Sequence, residues 1–175
     1  GPICARPAMF VVDLPDDSEG KGPEHSGGRI ERSLQAGAEE NLQVCNLTTP
    51  AQYCHVLRRQ VKRDFVKPLI IMTPKSLLRA EFATSSEKDF TKGRFQEIIG
   101  DSAKLEKVER VILCAGKVYY DLVAHREKQQ ITNSAIIRVE QLYQLAEKRL
   151  RELIDEYPKK AVLDWFLEVR QKIGD

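Results

Sequence analysis

The residues best placed to do chemistry are few, and they fall in two clusters that each carry cations. Thr73-Pro74-Lys75-Ser76, closed by Arg79, puts two cations and a hydroxyl at a helix start directly after the apolar run Pro68 to Thr73. Ligands of open α/β sheets bind beyond the carboxyl ends of strands, so this turn suits an anionic group such as a nucleotide, an acyl-CoA or a carboxylate. Plain capping by Thr73, with Lys75 and Arg79 solvated, accounts for the same residues. The second candidate is the glycine-rich stretch Glu19 to Arg29, EGKGPEHSGGR. It precedes a helix whose N-terminal amides can hold an anion, helped by Lys21 and Arg29, with Glu24, His25 and Ser26 at the bend. The plainer reading of that loop is a solvent-exposed turn.

Several familiar constellations fail on inspection. A dinucleotide fingerprint needs glycine where His25 stands. Gly116-Lys117 follows a strand, but a phosphate-binding loop needs glycine at Val111 and Ser or Thr at Val118. His25, His55 and His125 do not group with cysteines or carboxylates at zinc spacing, so no metal site is expected. Cys54 and His55 are neighbours on a helix and point in different directions, which excludes a nucleophile pair. The basic run Arg58 to Arg63 lacks interleaved aromatics and reads as a solvated face rather than an RNA platform. No complete catalytic set emerges from the residues alone.

The elements that must position these residues alternate in type. Met9 to Leu14 and Pro68 to Thr73 are near-continuous apolar runs, the pattern of strands covered on both faces, and the second should be central. Between them, Ile30, Leu34 and Ala38 predict a helix over about 28–40, and Val44-Cys45 a short strand. Thr49 is a good N-cap, with Pro50 at the first helical position and Gln52 completing a capping box. Tyr53, Cys54, Leu57 and Val61 form the expected apolar face of that helix. Residues 80–107 read as a long, partly ordered excursion pinned by Phe82, Phe90, Phe95, Ile98 and Ile99.

A second half follows: a strand at Arg110 to Ala115, a helix to about Lys128 and a strand at Ala135 to Val139. A long helix is expected from Gln141 to Tyr157, with an outward Glu147–Arg151 pair, and a last strand at Val162 to Leu167. Such alternation predicts α/β architecture: a three-layer sandwich with a mostly parallel twisted sheet and helices on both faces.

Composition bounds the class. The 175 residues, 42% hydrophobic and 31% charged, suit a globular protein with a real core, and a net charge of +2 is too small to imply a nucleic-acid partner. No apolar run approaches a membrane span, so no membrane partner is expected. Cys4, Cys45, Cys54 and Cys114 are scattered and read as reduced thiols of a cytoplasmic or matrix protein. Gly1-Pro2 reads as a protease-cleavage remnant, so a piece of something longer is expected.

Six motifs, in order, carry a family resemblance: GPEHSGGRIERSLQ (Gly22 to Gln35), TTPAQYCHVLRRQ (Thr48 to Gln60), KPLIIMTPKSLLR (Lys67 to Arg79), GRFQEIIGD (Gly93 to Asp101), VILCAGKVYYDL (Val111 to Leu122) and AIIRVEQLY (Ala135 to Tyr143). Together they resemble the C-terminal region of the thiamine-diphosphate-dependent dehydrogenase component of the 2-oxoglutarate dehydrogenase complex. The resemblance implies a transketolase C-terminal-like α/β domain over 42–175, truncated at its end. Residues 1–41 would be an arm holding a remnant of the pyrimidine-binding domain and a linker helix. It also implies a parent oxidoreductase of the tricarboxylic acid cycle, cytoplasmic or in the mitochondrial matrix. That parent decarboxylates 2-oxoglutarate as a homodimer with thiamine diphosphate and magnesium, and passes the succinyl group to a lipoyl-bearing succinyltransferase component.

The chain departs from the family at informative places. Asp16 stands where the family has an active-site histidine, and a carboxylate there would repel the substrate's own carboxylates. Ala80-Glu81 replaces His-Pro, and Gln144-Leu145-Ala146 replaces Pro-Phe-Pro, which favours a continuous helix. The family's Trp-x-Gln-Glu-Glu-Pro becomes Trp165 to Arg170. The expectation is a structural and dimerisation domain, not catalytic in isolation and holding no cofactor alone, that associates with itself or with other domains of its parent. Its rival is a stand-alone anion-binding module at the Lys75–Arg79 turn.

Overall fold

The computed structural model describes residues 11–15, 29–74, 76–77, 80–105 and 107–166. Two four-stranded sheets carry the α/β architecture, so the strands are shared between two layers rather than gathered in one. The first has the order β1-β3-β2-β7 and is built from β1 (Val11–Pro15), β2 (Gln43–Asn46), β3 (Leu69–Thr73) and β7 (Gln141–Tyr143). β3 lies between β1 and β2 and is parallel to both, so the continuous apolar run Leu69 to Met72 is central as expected. The second has the order β4-β6-β5-β8, from β4 (Ile98–Ile99), β6 (Ser134–Val139), β5 (Arg110–Cys114) and β8 (Val162–Phe166). β5 is parallel to β6 and β8, and the short β4 runs antiparallel to β6.

Each layer has its own core. Val44, Cys45, Leu69 and Ile71 are fully buried in the first; Ala135 and Ile137 are fully buried in the second, where Leu113 and Leu153 join them.

α2 (Pro50–Lys62) starts as its sequence dictates: Thr49 is extended, and its hydroxyl accepts from Gln52 N–H at 3.3 Å. The reciprocal half of the capping box is absent. Gln52 turns its amide inward, donating to Gln96 C=O at 2.6 Å and accepting from Gln96 N–H at 3.1 Å. The helix therefore buries Gln52, His55, Val56 and Gln60, whereas Cys54 and Val61 are exposed, contrary to the expected apolar face. The reason is that the excursion after β3 packs on this helix through polar ties: His55 Nε2 lies 2.6 Å from Asp89 C=O, and Arg58 binds Phe90 C=O. The excursion is itself ordered around α3 (Glu87–Lys92), which Ser86 and Asp89 cap reciprocally.

Two helices differ from expectation. α1 is Ile30–Gln35 only, because Glu39 and Glu40 take positive φ and Asn41 folds back onto Ala36 C=O. The expected helix over 141–157 divides into β7 and α5 (Glu147–Asp155). Val44 pairs with Tyr143 and Cys45 with Gln141, and this pairing overrides the helical stripe. The stripe serves two cores: Leu142 packs in the first layer, while Leu150, Leu153 and Ile154 pack in the second. Leu145, expected on the stripe, is exposed between them. The outward Glu147–Arg151 pair is present at 3.9 Å.

A candidate site at the carboxyl ends of the first sheet

β2 and β3 are parallel, so their carboxyl ends open on one side of the first sheet, and a cavity of about 550 Å³ lies there. Leu47, Thr48 and Thr49 follow β2, while Met72, Thr73 and Pro74 end β3. Leu77 and Ala80 carry the wall onto the turn after β3, Ala83 and Thr84 extend it, and Pro50 and Tyr53 supply the first turn of α2. The lining named by these residues is uncharged, with hydroxyls of four threonines and one tyrosine set among apolar groups.

The helix start facing this cavity is already satisfied. Ala51 N–H donates to Ser85 Oγ at 3.1 Å, Gln52 N–H to Thr49 Oγ1, and Thr48 N–H to Glu140 Oε2 at 2.9 Å. The amides that would otherwise bind an anion are thus engaged with side chains.

Thr48 is held from the second layer. Its hydroxyl donates to Glu140 Oε1 and accepts from Arg138 Nη1 at 3.0 Å, and its carbonyl accepts from Tyr120 OH at 2.5 Å. Glu140 is fully buried between the two sheets, and burial raises its carboxyl above the usual glutamate range despite the Thr48 bonds and the Arg138 charge. Burial likewise pushes the Tyr120 phenol up to about 12. Beside this network, Asn46 Oδ1 is buried without a hydrogen-bond partner among the described residues, against Gly116.

A second polar knot joins the layers through Arg59, which reaches Glu97 at 3.1 Å, Gln141 at 2.6 Å and Gln43 at 3.4 Å, and lies over the Phe95 ring at 4.1 Å. Burial lowers its pKa from the usual arginine value, and the like charge of Arg63 adds to that.

Of the residues singled out from sequence, Lys75, Arg79, Glu24, His25, Ser26 and Asp16 lie outside the described residues. Ser76 is exposed on the short turn whose neighbour Leu77 lines the cavity. Arg29 is exposed at the start of α1 with an extended backbone, and its side chain does not cap that helix. Among the described residues no group of three His, Cys, Asp or Glu could hold a metal ion. Sequence reasoning missed Glu140, Arg138, Thr48 and Tyr120 as a unit. The one available signal was a carboxylate directly after the apolar strand Ala135 to Val139.

Parallel strands alternating with helices, with a cavity at their carboxyl ends, define an α/β protein of transketolase type, and residues 4–81 match the family described as transketolase, pyrimidine binding domain. Residues 84–174 match the family described as 2-oxoglutarate dehydrogenase C-terminal, and the chain belongs to that family. The first match ends at residue 81 and the second begins at residue 84. Similar proteins include the 2-oxoglutarate dehydrogenase E1 components of Cupriavidus necator (50% identical over 171 residues), Coxiella burnetii (47% over 173) and Brucella anthropi (47% over 181). Each alignment covers 97% of this chain and 18% of the relative, so the chain spans less than a fifth of the length of the curated relatives it matches.

Proposed function

We propose that this chain is the C-terminal part of a 2-oxoglutarate dehydrogenase E1 subunit, a structural and dimerisation unit that does not decarboxylate 2-oxoglutarate in isolation. The observation that carries this reading is the alignment of 97% of the chain, at 50% identity, with 18% of an E1 component. The family matches favour a division into structural units near residues 81–84. The parent would be a cytoplasmic or matrix enzyme working with thiamine diphosphate, magnesium and a succinyltransferase partner. No helix among the described residues is long and apolar enough to cross a membrane.

The described residues do not fit the charged end of that cofactor. A magnesium-bound diphosphate needs a set of hard oxygen ligands, whereas the cavity lining is uncharged and the nearby helix amides are occupied. The test is decarboxylation by the purified chain supplied with 2-oxoglutarate, thiamine diphosphate and magnesium. No release of carbon dioxide above buffer is expected, and turnover would overturn the reading.

A second reading has one observation in its favour. The cavity lies at the carboxyl end of β3, next to the turn that carries Lys75, Ser76 and Arg79 in sequence, where an anion-binding module would hold its ligand. Calorimetry with 2-oxoglutarate, AMP and acetyl-CoA tests it. Heat that disappears in Lys75→Ala supports the module, and silence with all three removes it.

A further inference from the structure

At the end of the first sheet opposite the cavity, α2 runs out and a short loop leads into β3. Exposed there are Val61 (68%), Phe65 (48%) and Val66 (45%), three large apolar residues within six positions. Three cations, Lys62, Arg63 and Lys67, and one carboxylate, the exposed Asp64, share the loop with them. Arg63 and Lys67 lie over the Phe65 ring, their charges 5.1 and 5.5 Å from its centroid, and Lys62 is exposed beside them. The loop is built rather than loose: Gln60, buried in α2, donates to Lys67 C=O at 2.6 Å, and Gln43 N–H donates to Pro68 C=O at 2.9 Å.

Charge balance around the loop is incomplete. Arg59 has Glu97 as its partner, and Lys67 has Glu40 at 3.6 Å. Among the described residues no carboxylate pairs with Lys62 or Arg63, and Arg63 Nη1 is buried without a hydrogen-bond acceptor. Cations near a helix C-terminus complement its carbonyls, which accounts for Lys62. It does not account for three apolar side chains left in water between unneutralised charges.

We propose that this surface, Val61 to Lys67 with Lys62 and Arg63 at its rim, docks a protein segment that is acidic and carries apolar residues between its carboxylates. Carboxylates would neutralise the exposed Lys62 and the charge of Arg63 at the rim, and apolar side chains would cover Val61, Phe65 and Val66. A nucleic acid fits less well, because two of the three exposed apolar residues are valines, which offer no ring for base stacking, and the chain's net charge is only +2. The surface is separate from the cavity, so the proposal stands or falls independently of the reading above.

The experiment is fluorescence anisotropy of the full 175-residue chain with a short fluorescein-labelled peptide alternating Glu and Leu. Saturable binding in the micromolar range is expected, weakening as salt is raised. Lys62 is exposed and makes no described contact, so Lys62→Glu keeps the fold and should weaken binding about tenfold; Phe65→Ser should weaken it comparably. Lys92→Glu, on exposed α3, should change nothing. Absence of binding overturns the proposal, as does equal binding by Lys62→Glu or by a peptide alternating Glu and Ser. Tighter binding to a single-stranded oligonucleotide or to phosphatidylserine vesicles than to the Glu–Leu peptide overturns it too.

Discussion

Glu140 and Thr48 join the two sheets. The backbone amide of Thr48 donates to one oxygen of the buried carboxylate and its hydroxyl to the other, so one side chain of the second layer holds the rim of a cavity in the first.

That relationship makes stability depend on pH in a defined direction. Burial raises the Glu140 carboxyl, so the folded chain holds its proton more tightly than the unfolded chain. The associated stability is present below the ordinary glutamate value of 4.5 and is lost as pH rises through the folded value. Glu140→Gln should flatten this dependence: between mildly acid and neutral pH its urea midpoint should fall less than that of the parent chain. An equal fall in both would contradict the assignment. Glu140→Ala, which strands the Thr48 amide, should cost about 3 kcal/mol.

Gly116 is a position where a methyl group does damage. Its φ is +65°, and an added Cβ would lie 2.4 Å from Asn46 Oδ1. Gly116→Ala should destabilise by about 3 kcal/mol in denaturant titration, through backbone strain plus displacement of Asn46. Gly37→Ala, where the nearest clash is with the Tyr143 ring at 3.0 Å, is the milder comparison.

Arg126 and Asp101 tie α4 (Val118–Lys128) to the second sheet. The guanidinium forks onto the carboxylate, whose side chain is 4% exposed and which also accepts Ile136 N–H at 2.7 Å. Arg126→Ala leaves that carboxylate buried and uncompensated, and a loss of about 3–5 kcal/mol is expected from the shift in urea midpoint. Arg126→Lys should recover only part of it, because an ammonium cannot fork.

The thiols should divide sharply in reactivity. Burial raises Cys45 and Cys114 to about 12, whereas Cys54 is exposed on α2. In native buffer a disulfide reagent should label Cys54 rapidly and leave Cys45 and Cys114 untouched until denaturant unfolds the chain. Mass mapping of the labelled peptides checks this. Stability tied to these two thiols is present below the usual thiol value of 9.0 and is lost as pH climbs toward 12.

Much of the architecture is legible in the sequence. Local rules sufficed where one residue type has one good use: Thr49-Pro50 as the opening of α2, and the apolar run Leu69 to Met72 as a strand covered on both faces. The candidate site was half legible. The turn after β3 follows a strand end as expected, but Thr48 stood out only as the first residue of a motif, beside the capping Thr49. Nothing local in Thr48 announces a bond to a carboxylate 92 positions away.

Sequence alone established strand and helix alternation, the central strand, the cap of α2 and the family resemblance, because each depends on residues within one element or on motif order. Tertiary structure decided the rest. Gln141 to Tyr143 read as the first turn of a long amphipathic helix, yet pairing with β2 made them a strand, since cross-strand bonds outweigh a weak helical preference. Of the expected apolar face of α2, Tyr53 and Leu57 pack on the first core but Cys54 and Val61 are exposed, because the chain after β3 offered polar partners to Gln52 and His55 and turned those inward. A hydrophobic pattern says which side chains prefer to leave water, but only packing across the two sheets says which polar groups find the partners that let them follow.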